Sequence, residues 1–512
     1  MPPAVPDEPM RFGRGQVWAL VACTALAMGL RCLGLGEWPL WIDEAHTWRD
    51  ATMPLESFLV EDRAKYPLPF LLLRLLFALG LSEDEFSLRL PFALVGIATI
   101  PVVAWCGRQV VGARSALFAA FLLAIHPWHV FWSQNARGYV FVVLAAVVTV
   151  PRILAYARRD RLADLGVAVG VILLAMASHA TGALLAVGAV CFLVLRRFPF
   201  RRATVVGMAI VAVVGAYALP WAIEAVGLFG DFMKQKSNPS LGHFLQTTGY
   251  YFRPGVLVAA AFGIWLLRQV GGRDRAIVLG SMTAMPLFVL LAVGSNLVLT
   301  TARYGICALP ALAWLSAFAA VQVARAALRC RDVRRPVAWG MALVAPALLV
   351  ADHASGLVDY YTVQNGQRAH WQKAAQFLRE RAGDQPLRVS TINYPTMLYY
   401  LRPGDWRSAV PDEFARNRVL SLESWMIAEG LDQWKQPAHA PGAKNHIEWH
   451  RQQARIDGAL LAFVVTLPEL VQKDRDHSLR RVLVDHCDLV LHLPCWVGPK
   501  DESLFVYMLK QP

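Results

Sequence analysis

Residues 139–161 read YVFVVLAAVVTVPRILAYARRDR. The run Tyr139–Ala155 is apolar enough to sit in hydrocarbon, and Arg158, Arg159 and Arg161 close it. A bilayer asks for about 20 consecutive apolar residues per helix, and arginine collects at the cytoplasmic ends of such helices. The same pattern recurs outward in both directions, from Val17–Leu35 through Phe86–Cys106 and Leu162–Ser178 to Tyr304–Val323 and Val337–Ala351. The breaks alternate in character. Arg108/Arg114, Arg196/Arg197/Arg201/Arg202, Arg268/Arg273/Arg275 and Arg325/Arg329/Arg331/Arg334/Arg335 are basic, and the intervening loops carry acids, histidines and aromatics. We therefore expect a polytopic α-helical membrane protein with about eleven spanning helices and a cytoplasmic N-terminus. The apolar run after Arg11 and Arg14 reads as an uncleaved first span, because further spans follow it.

Composition agrees. Of 512 residues 56% are hydrophobic and only 17% charged, and the mean hydropathy is +0.40. The net charge of +13 would point to nucleic acid in a soluble chain. Here the excess arginine lies in short loops between apolar runs, so membrane orientation accounts for it and a nucleic-acid partner is excluded. One segment tests the parity of the spans. Pro67–Leu81 is apolar but short and broken by Arg74; it reads as a helix lying in the outer interface, within a first outer loop of residues 36–85. Trp38, Trp41, Trp48, Trp128, Trp132, Trp221, Tyr250 and Tyr251 then mark the outer boundary.

After residue 352 the composition becomes that of a soluble domain, covering 353–512 and expected on the extracytoplasmic face of the membrane. His370–Ala382 has the spacing of an amphipathic helix, and Leu387–Ile392, Leu460–Thr466, Val482–Leu493 and Leu504–Leu509 read as strands of a small α/β or α+β domain. Cys487 and Cys495 could pair there or stay as thiols.

Chemistry concentrates in the loops opposite the arginines. The first reads GEWPLWIDEAHTWRDA. Adjacent Asp43 and Glu44 are either a solvated pair or a base that takes a proton from an acceptor hydroxyl. The second reads HPWHVFWSQNARGYV, where Arg137 is either an interfacial anchor or a phosphate ligand. His179 in SHATG and Arg303 in TTARYG stand at helix ends on the same side, and Lys65 precedes the interfacial segment. No spacing of His, Cys, Asp and Glu suggests a metal site.

On these pieces the chain resembles the bacterial branch of the dolichyl-phosphate-mannose–protein mannosyltransferase family. That family is of the glycosyltransferase-C superfamily and is related to the lipid A aminoarabinose transferases. The stretches that carry the resemblance are WIDEAHT, KYPLPFLLLRLLFALGLSEDEFSLRLPFALVGIATIPVV, SQNARGY, SHATGALL and ARYGICALPALAWL. Two departures stand out. Members often have His-Pro-Pro-Leu where this chain has Tyr66-Pro67-Leu68-Pro69, and an acid where it has Asn135. The resemblance implies a glycosyltransferase-C fold and an enzyme of the bacterial inner membrane. It would transfer a sugar from a polyprenyl-phosphate donor to a lipid, glycan or protein acceptor, with inversion. Asp43 would be the base and Glu44 its support or the residue that positions the acceptor. Arg137 and Arg303, with Lys65 and His179, would bind the donor phosphate. No cofactor is indicated, though a divalent metal is not ruled out by the pattern. The rival reading is a transporter or lipid-linked sugar flippase. Against it, ionisable residues cluster at span ends and not at mid-span, where transporters carry them.

Overall fold

The arginine-bounded apolar runs fold as helices. A computed structural model of the chain describes residues 12–199, 201–216, 241–297, 302–330, 334–391, 394–401, 419–421, 451–452, 454–467, 478–497 and 500–510. Trp221 lies outside these residues. The helical part comprises α1 (Arg14–Cys32), α2 (Ile42–Thr52), α3 (Leu55–Leu59), α4 (Leu68–Ala78), α5 (Glu85–Val111), α6 (Ala113–Ala124), α7 (Pro127–Ser133), α8 (Tyr139–Arg159), α9 (Leu162–Ser178) and α10 (Ala183–Leu195). It continues with α11 (Arg202–Ala216), α12 (Leu241–Phe252), α13 (Pro254–Gln269), α14 (Arg273–Leu297), α15 (Leu309–Arg329) and α16 (Arg335–Thr362).

The number of spans is smaller than the apolar runs suggest. Among the described residues six helices are long and apolar enough to cross a membrane, or eight if each of two bent pairs is one span. The physical reason is length. Helix α9 has 17 residues and α10 has 13, which at about 1.5 Å per residue falls short of a hydrocarbon core of roughly 30 Å. The bent pairs break where proline opens the second helix: α6 and α7 meet at 63° before Pro127, and α12 and α13 at 86° before Pro254. The segment read as interfacial forms α4, whose 11 residues likewise cannot span. Its Arg74 donates to the carbonyls of Asp50 at 3.2 Å and Met53 at 2.5 Å, tying α4 to α2.

The helical core is built from α5, α6, α8 and α15, with Ile100, Val103, Ala119, Ala120, Val143, Val147, Ala317 and Trp314 buried. Small residues on α6 and α15 let the helices approach closely. Helices α5, α8, α10 and α15 run from the acidic and aromatic loops to arginines at their other ends: Arg108, Arg158/Arg159, Arg196 and Arg329. Asp274 at the start of α14 pairs with Arg196 at 3.1 Å and with Arg158 at 3.9 Å, which gathers the ends of α8 and α10 at the start of α14.

The C-terminal part carries a five-stranded mixed sheet in the order β2 (Val419–Ser421), β1 (Leu387–Thr391), β3 (Leu460–Thr466), β7 (Leu504–Leu509), β4 (Cys487–Leu493). Strand β1 is parallel to β2 and β3; β3 and β4 are antiparallel to β7. A short hairpin pairs β5 (Trp496–Val497) with β6 (Lys500–Asp501). Helix α17 (Trp371–Ala382) covers one face through Trp371, Ala374, Ala375 and Leu378. Beyond it lies α18 (Tyr394–Leu401). The strand expected at Val482–Leu493 is corrected: a helix, α19 (Ser478–His486), occupies its first part. Leu479 and Leu483, one helical turn apart, are both buried on the second face of the sheet, so the period there is helical. Cys487 and Cys495 are free thiols packed on opposite faces.

Two motif glycines bring α8, α9 and α10 together. A Cβ on Gly138 would run into the carbonyl of Ser178, and one on Gly182 into the backbone of Ala175. Backbone cannot yield as a side-chain tip can, so Gly138→Ala should cost about 1–3 kcal/mol by overpacking. A lower melting temperature in detergent, with secondary structure unchanged by circular dichroism, is the expected result.

Candidate active site

Asp43 and Glu44 open α2, and both sit in its first turn, where unbonded N–H groups favour negative charge. Neighbours on a helix point about 100° apart, so the two carboxylates enter different surroundings. Glu44 is 0% exposed. Its Oε1 accepts from Arg89 Nε at 2.8 Å and its Oε2 from Arg89 Nη2 at 2.8 Å and Arg368 Nε at 3.2 Å. The backbone N–H of Ala136 reaches Oε1 at 3.2 Å, and that of Trp41 reaches Oε2 at 3.4 Å. Burial alone would raise the Glu44 pKa; the Arg368 and Arg89 guanidiniums outweigh it and hold the carboxyl at about 2. The two arginines are themselves satisfied. Arg89 donates to the carbonyls of Leu35, Trp38 and Pro39 at 2.8–2.9 Å, and Arg368 to that of Gln134 at 2.6 Å.

Asp43 is half-buried, and among the described residues its carboxylate has neither a hydrogen bond nor an ion pair. Arg137 comes from the next loop. It is 9% exposed, its Nη1 lies 3.5 Å from Thr47 Oγ1, and its Nε has no partner among the described residues. Burial opposes the Arg137 cation, yet its pKa is raised, with the Asp43 carboxylate leading the groups that outweigh burial. His46, one turn on from Asp43, is held well below the usual imidazole range by burial and by Arg63, Arg49 and Arg137, so it stays neutral.

His179 sits in the turn between α9 and α10. Its Nδ1 accepts from the Thr181 N–H at 3.2 Å, and its ring lies 3.9 Å from that of Tyr139 and 5.7 Å from that of Tyr66. Burial, Arg137 and Arg303 keep it neutral. Arg303 stands in the 3-10 turn ahead of α15, donates to the Tyr304 hydroxyl at 2.6 Å and lies within electrostatic reach of Tyr139 and Asp43. Lys65 is half-buried at the end of a 3-10 turn, directly before Tyr66.

Asp43, Arg137, Arg303 and His179 thus converge around Tyr139 and Tyr66, with Lys65 beside Tyr66. Glu44 faces away, into its arginine pair. The arrangement offers one half-buried carboxylate as a proton acceptor and a buried cationic recess for an anion. Asn135 is 0% exposed, and neither atom of its carboxamide has a partner among the described residues. No three His, Cys, Asp or Glu side chains gather as a metal site among the described residues.

Reading the sequence missed several supporting groups. In the sequence Tyr66 is marked only as a departure from the family pattern and Tyr139 only as the start of an apolar run. Gln134, in SQNARGY, caps the end of α1 by donating to the carbonyls of Leu30, Arg31 and Leu33 at 2.7–3.2 Å. Arg89 lies near the start of the apolar run Phe86–Cys106, where nothing local marks it as a partner of Glu44. Nothing in the periodicity around Arg368 marks it as a partner of Glu44, 324 residues away.

Removing one partner of such a buried ion cluster leaves uncompensated charge, at a cost of about 3–5 kcal/mol. Arg368→Ala and Glu44→Gln should each lower the thermal midpoint markedly. Glu44 has a depressed pKa in the folded state, so its stabilisation is complete above the ordinary range near 4.5 and is lost as pH falls toward about 2. The acid limb of a stability–pH profile should therefore flatten in Glu44→Gln.

A family model described as dolichyl-phosphate-mannose-protein mannosyltransferase matches residues 62–222, under a third of the chain. No curated protein matches in sequence. ArnT from Cupriavidus metallidurans superposes with a TM-score of 0.55 at 15% identity, covering 97% of this chain and 98% of that one; its form bound to undecaprenyl phosphate gives 0.55 at 14%, covering 96% and 98%. The Archaeoglobus fulgidus oligosaccharyltransferase tethered to an acceptor peptide gives 0.57 at 13%, covering 97% and 74%. Over residues 62–222 the chain is similar to the dolichyl-phosphate-mannose-protein mannosyltransferases, and along its length it shares the fold of ArnT and of the archaeal oligosaccharyltransferase.

Proposed function

We propose that this protein is an inverting membrane glycosyltransferase that moves a sugar from a polyprenyl-phosphate donor to an acceptor hydroxyl at the outer face of the membrane. The observation that carries the reading is Arg137, 9% exposed with no carboxylate in ion-pair distance among the described residues, standing beside the unpaired carboxylate of Asp43. Asp43 is the leading counter-charge to this guanidinium but forms no ion pair with it, which leaves its donors open to a further anion, and a planar fork suits phosphate oxygens. Of the fold relatives, ArnT has been seen bound to undecaprenyl phosphate and the archaeal oligosaccharyltransferase to a dolichol-phosphate.

The chemistry needs little more. Asp43 accepts the proton of the acceptor hydroxyl as its oxygen bonds to the anomeric carbon. The bond from that carbon to the phosphate oxygen breaks, and polyprenyl phosphate departs with the electron pair. Charge builds on the leaving phosphate, where Arg137 and Arg303 lie, so no protonation of the leaving group is required. Attack opposite the departing phosphate inverts the anomeric centre. Lys65 and His179 would line the phosphate recess. Glu44, saturated by arginines, would hold Asp43 in place.

The outer-face assignment follows from charge. The helix ends opposite the site carry the arginines, and arginine stays cytoplasmic. On that reading the N-terminus is cytoplasmic and residues 353–512 form an outer domain on a membrane domain of 1–352. The count of about eleven spans would require the short helices α9, α10 and α11 to cross a locally thinned bilayer.

Asp43→Asn keeps size and polarity but cannot accept the proton, and should lower transfer by about a hundredfold or more with insertion unchanged. Activity within a few-fold of the parent would remove Asp43 from that role. With purified protein, lipid-linked sugars should turn over and nucleotide sugars should not. Arg137→Lys should retain part of donor binding and Arg137→Ala lose it, since a point charge replaces the cation but not the bidentate contact. Reporter fusions after Arg161, Arg201, Arg273 and Arg334 should report cytoplasm, and fusions near Arg137 and in the C-terminal domain the outer face. An outer signal at Arg161 would sink the orientation.

A further inference from the structure

Helices α8, α9, α10, α11 and α14 leave a cavity of about 530 Å³ between them. Its walls include Ile153 of α8, Val169 of α9, Val190 of α10, Met208 of α11 and Met285 of α14. The one hydroxyl among the lining side chains, on Thr204, is taken by the Tyr156 hydroxyl at 2.5 Å. The cavity is open at one side, where the lining residue Val194 is 53% exposed and Ala212 is exposed as well. Such walls offer nothing to a sugar or an anion, and they do not hold water. They suit hydrocarbon. A water takes roughly 30 Å³ and a methylene about as much, so the space holds one acyl chain of about 16–18 carbons.

The mouth selects which lipid supplies the chain. Leu165, Val194 and Thr204 line the cavity, and each stands one helical turn from an arginine: Arg161, Arg197 and Arg201. The Arg197 N–H bonds the Val194 carbonyl at 2.9 Å, which turns the chain at the mouth. Arg196 is committed to Asp274 at 3.1 Å, and Arg201 to Asp160. The side chains of Arg159, Arg161, Arg197 and Arg202 are exposed, and among the described residues they have neither a hydrogen bond nor an ion pair. An apolar cavity with a cationic entrance complements a hydrocarbon chain with an anionic head, as basic pockets between membrane helices do elsewhere.

The sugar carrier is the other lipid with a phosphate. Its proposed phosphate ligands, Arg137 and Arg303, stand at the opposite ends of the helices, before α8 and before α15. A head held there is on the wrong side of the membrane to meet Arg161, Arg197 and Arg202. A zwitterionic phospholipid reaches the mouth but brings no net charge to four open guanidiniums.

We propose that this cavity is a binding site for an anionic phospholipid of the leaflet at the arginine ends of the helices. One acyl chain lies in the cavity and the phosphate lies on Arg161, Arg197 and Arg202. The bound lipid joins α9, α10 and α11, the helices too short to span by themselves. On the orientation read above this is the inner leaflet; the reporter fusions test that orientation separately from lipid binding, and the transfer reading does not enter.

Purified full-length protein in detergent is titrated with phosphatidylglycerol, phosphatidylethanolamine or undecaprenyl phosphate, and bound lipid is counted by native mass spectrometry. Val190→Trp fills the cavity. The pair Arg161→Gln and Arg197→Gln discharges its mouth. The pair Arg334→Gln and Arg335→Gln removes equal charge at the start of α16, which does not line the cavity. We expect phosphatidylglycerol to bind about tenfold or more tightly than phosphatidylethanolamine. Its affinity should fall about tenfold or more in the mouth pair and in Val190→Trp and stay unchanged in the α16 pair. Should Val190→Trp not fold, the two arginine pairs decide between themselves. Equal binding of phosphatidylethanolamine, or equal loss in both arginine pairs, overturns the site. Undecaprenyl phosphate bound more tightly than phosphatidylglycerol and weakened by the mouth pair also overturns it, since the cavity would then belong to the carrier.

Discussion

The carboxylate of Glu44 is the tie on which the site depends. It accepts five N–H groups, from Arg89, Arg368, Ala136 and Trp41, without exposure to solvent. Each donor belongs to a different piece of the fold: helix α5, the entry to the C-terminal domain, the loop before α8, and the N-cap of α2. One buried anion therefore sets the relative position of all four. Asp43 precedes this tie by one residue, and Arg137 follows Ala136 by one. The distance between the unpaired acid and the buried cation is thus governed by a group that takes no part in the proposed chemistry.

Such a cluster stabilises only if it is complete. Desolvating a carboxylate and two guanidiniums costs several kcal/mol per ion, recovered only when nearly every donor and acceptor is matched. Here the spare arginine donors reach carbonyls of Leu35, Trp38, Pro39 and Gln134. The matching gives the C-terminal domain a structural part in the site. Arg368 lies at its start, and its carbonyl accepts from Cys495 Sγ at 3.2 Å, a residue from the far end of the sheet sequence. A second ionic cluster, Arg49 and Arg63 on Asp50 and Glu61, fastens the first loop in the same manner. By contrast Asp43, Arg137 and Asn135 retain unmatched polar atoms among the described residues. Unmatched groups beside two fully matched clusters are the pattern expected where a ligand completes the bonding.

Much of this was legible in residue patterns, unevenly. Leu460–Thr466 and Leu504–Leu509 read as strands with the ends they have, because a short continuous apolar run bounded by polar residues is a local signal. At Val482 the same apolar density misled, since a short run of Leu and Val does not distinguish strand from helix until its burial is known. The spans were overcounted for a related reason: hydropathy registers an apolar stretch but not the bend or early end that shortens the helix. The loaded loops were legible because acids, histidines and arginine at the ends of apolar runs have few structural uses.

Taken alone, the sequence determined the membrane class of the chain, the alternation of basic and chemically loaded loops, and the gathering of Asp43, Arg137, His179 and Arg303 toward one end of the helices. Each follows from the free energy of moving charge and apolar surface between water and hydrocarbon, which residue type and spacing already specify. Only the tertiary structure decided that Asp43 stays unpaired while its neighbour Glu44 is spent on two arginines. It also decided that one of those arginines arrives from Arg368, and that Tyr139 and Tyr66 stand between the cations. Those outcomes depend on which side of a helix turn each side chain leaves from and on contacts hundreds of residues apart. Local composition carries no record of either.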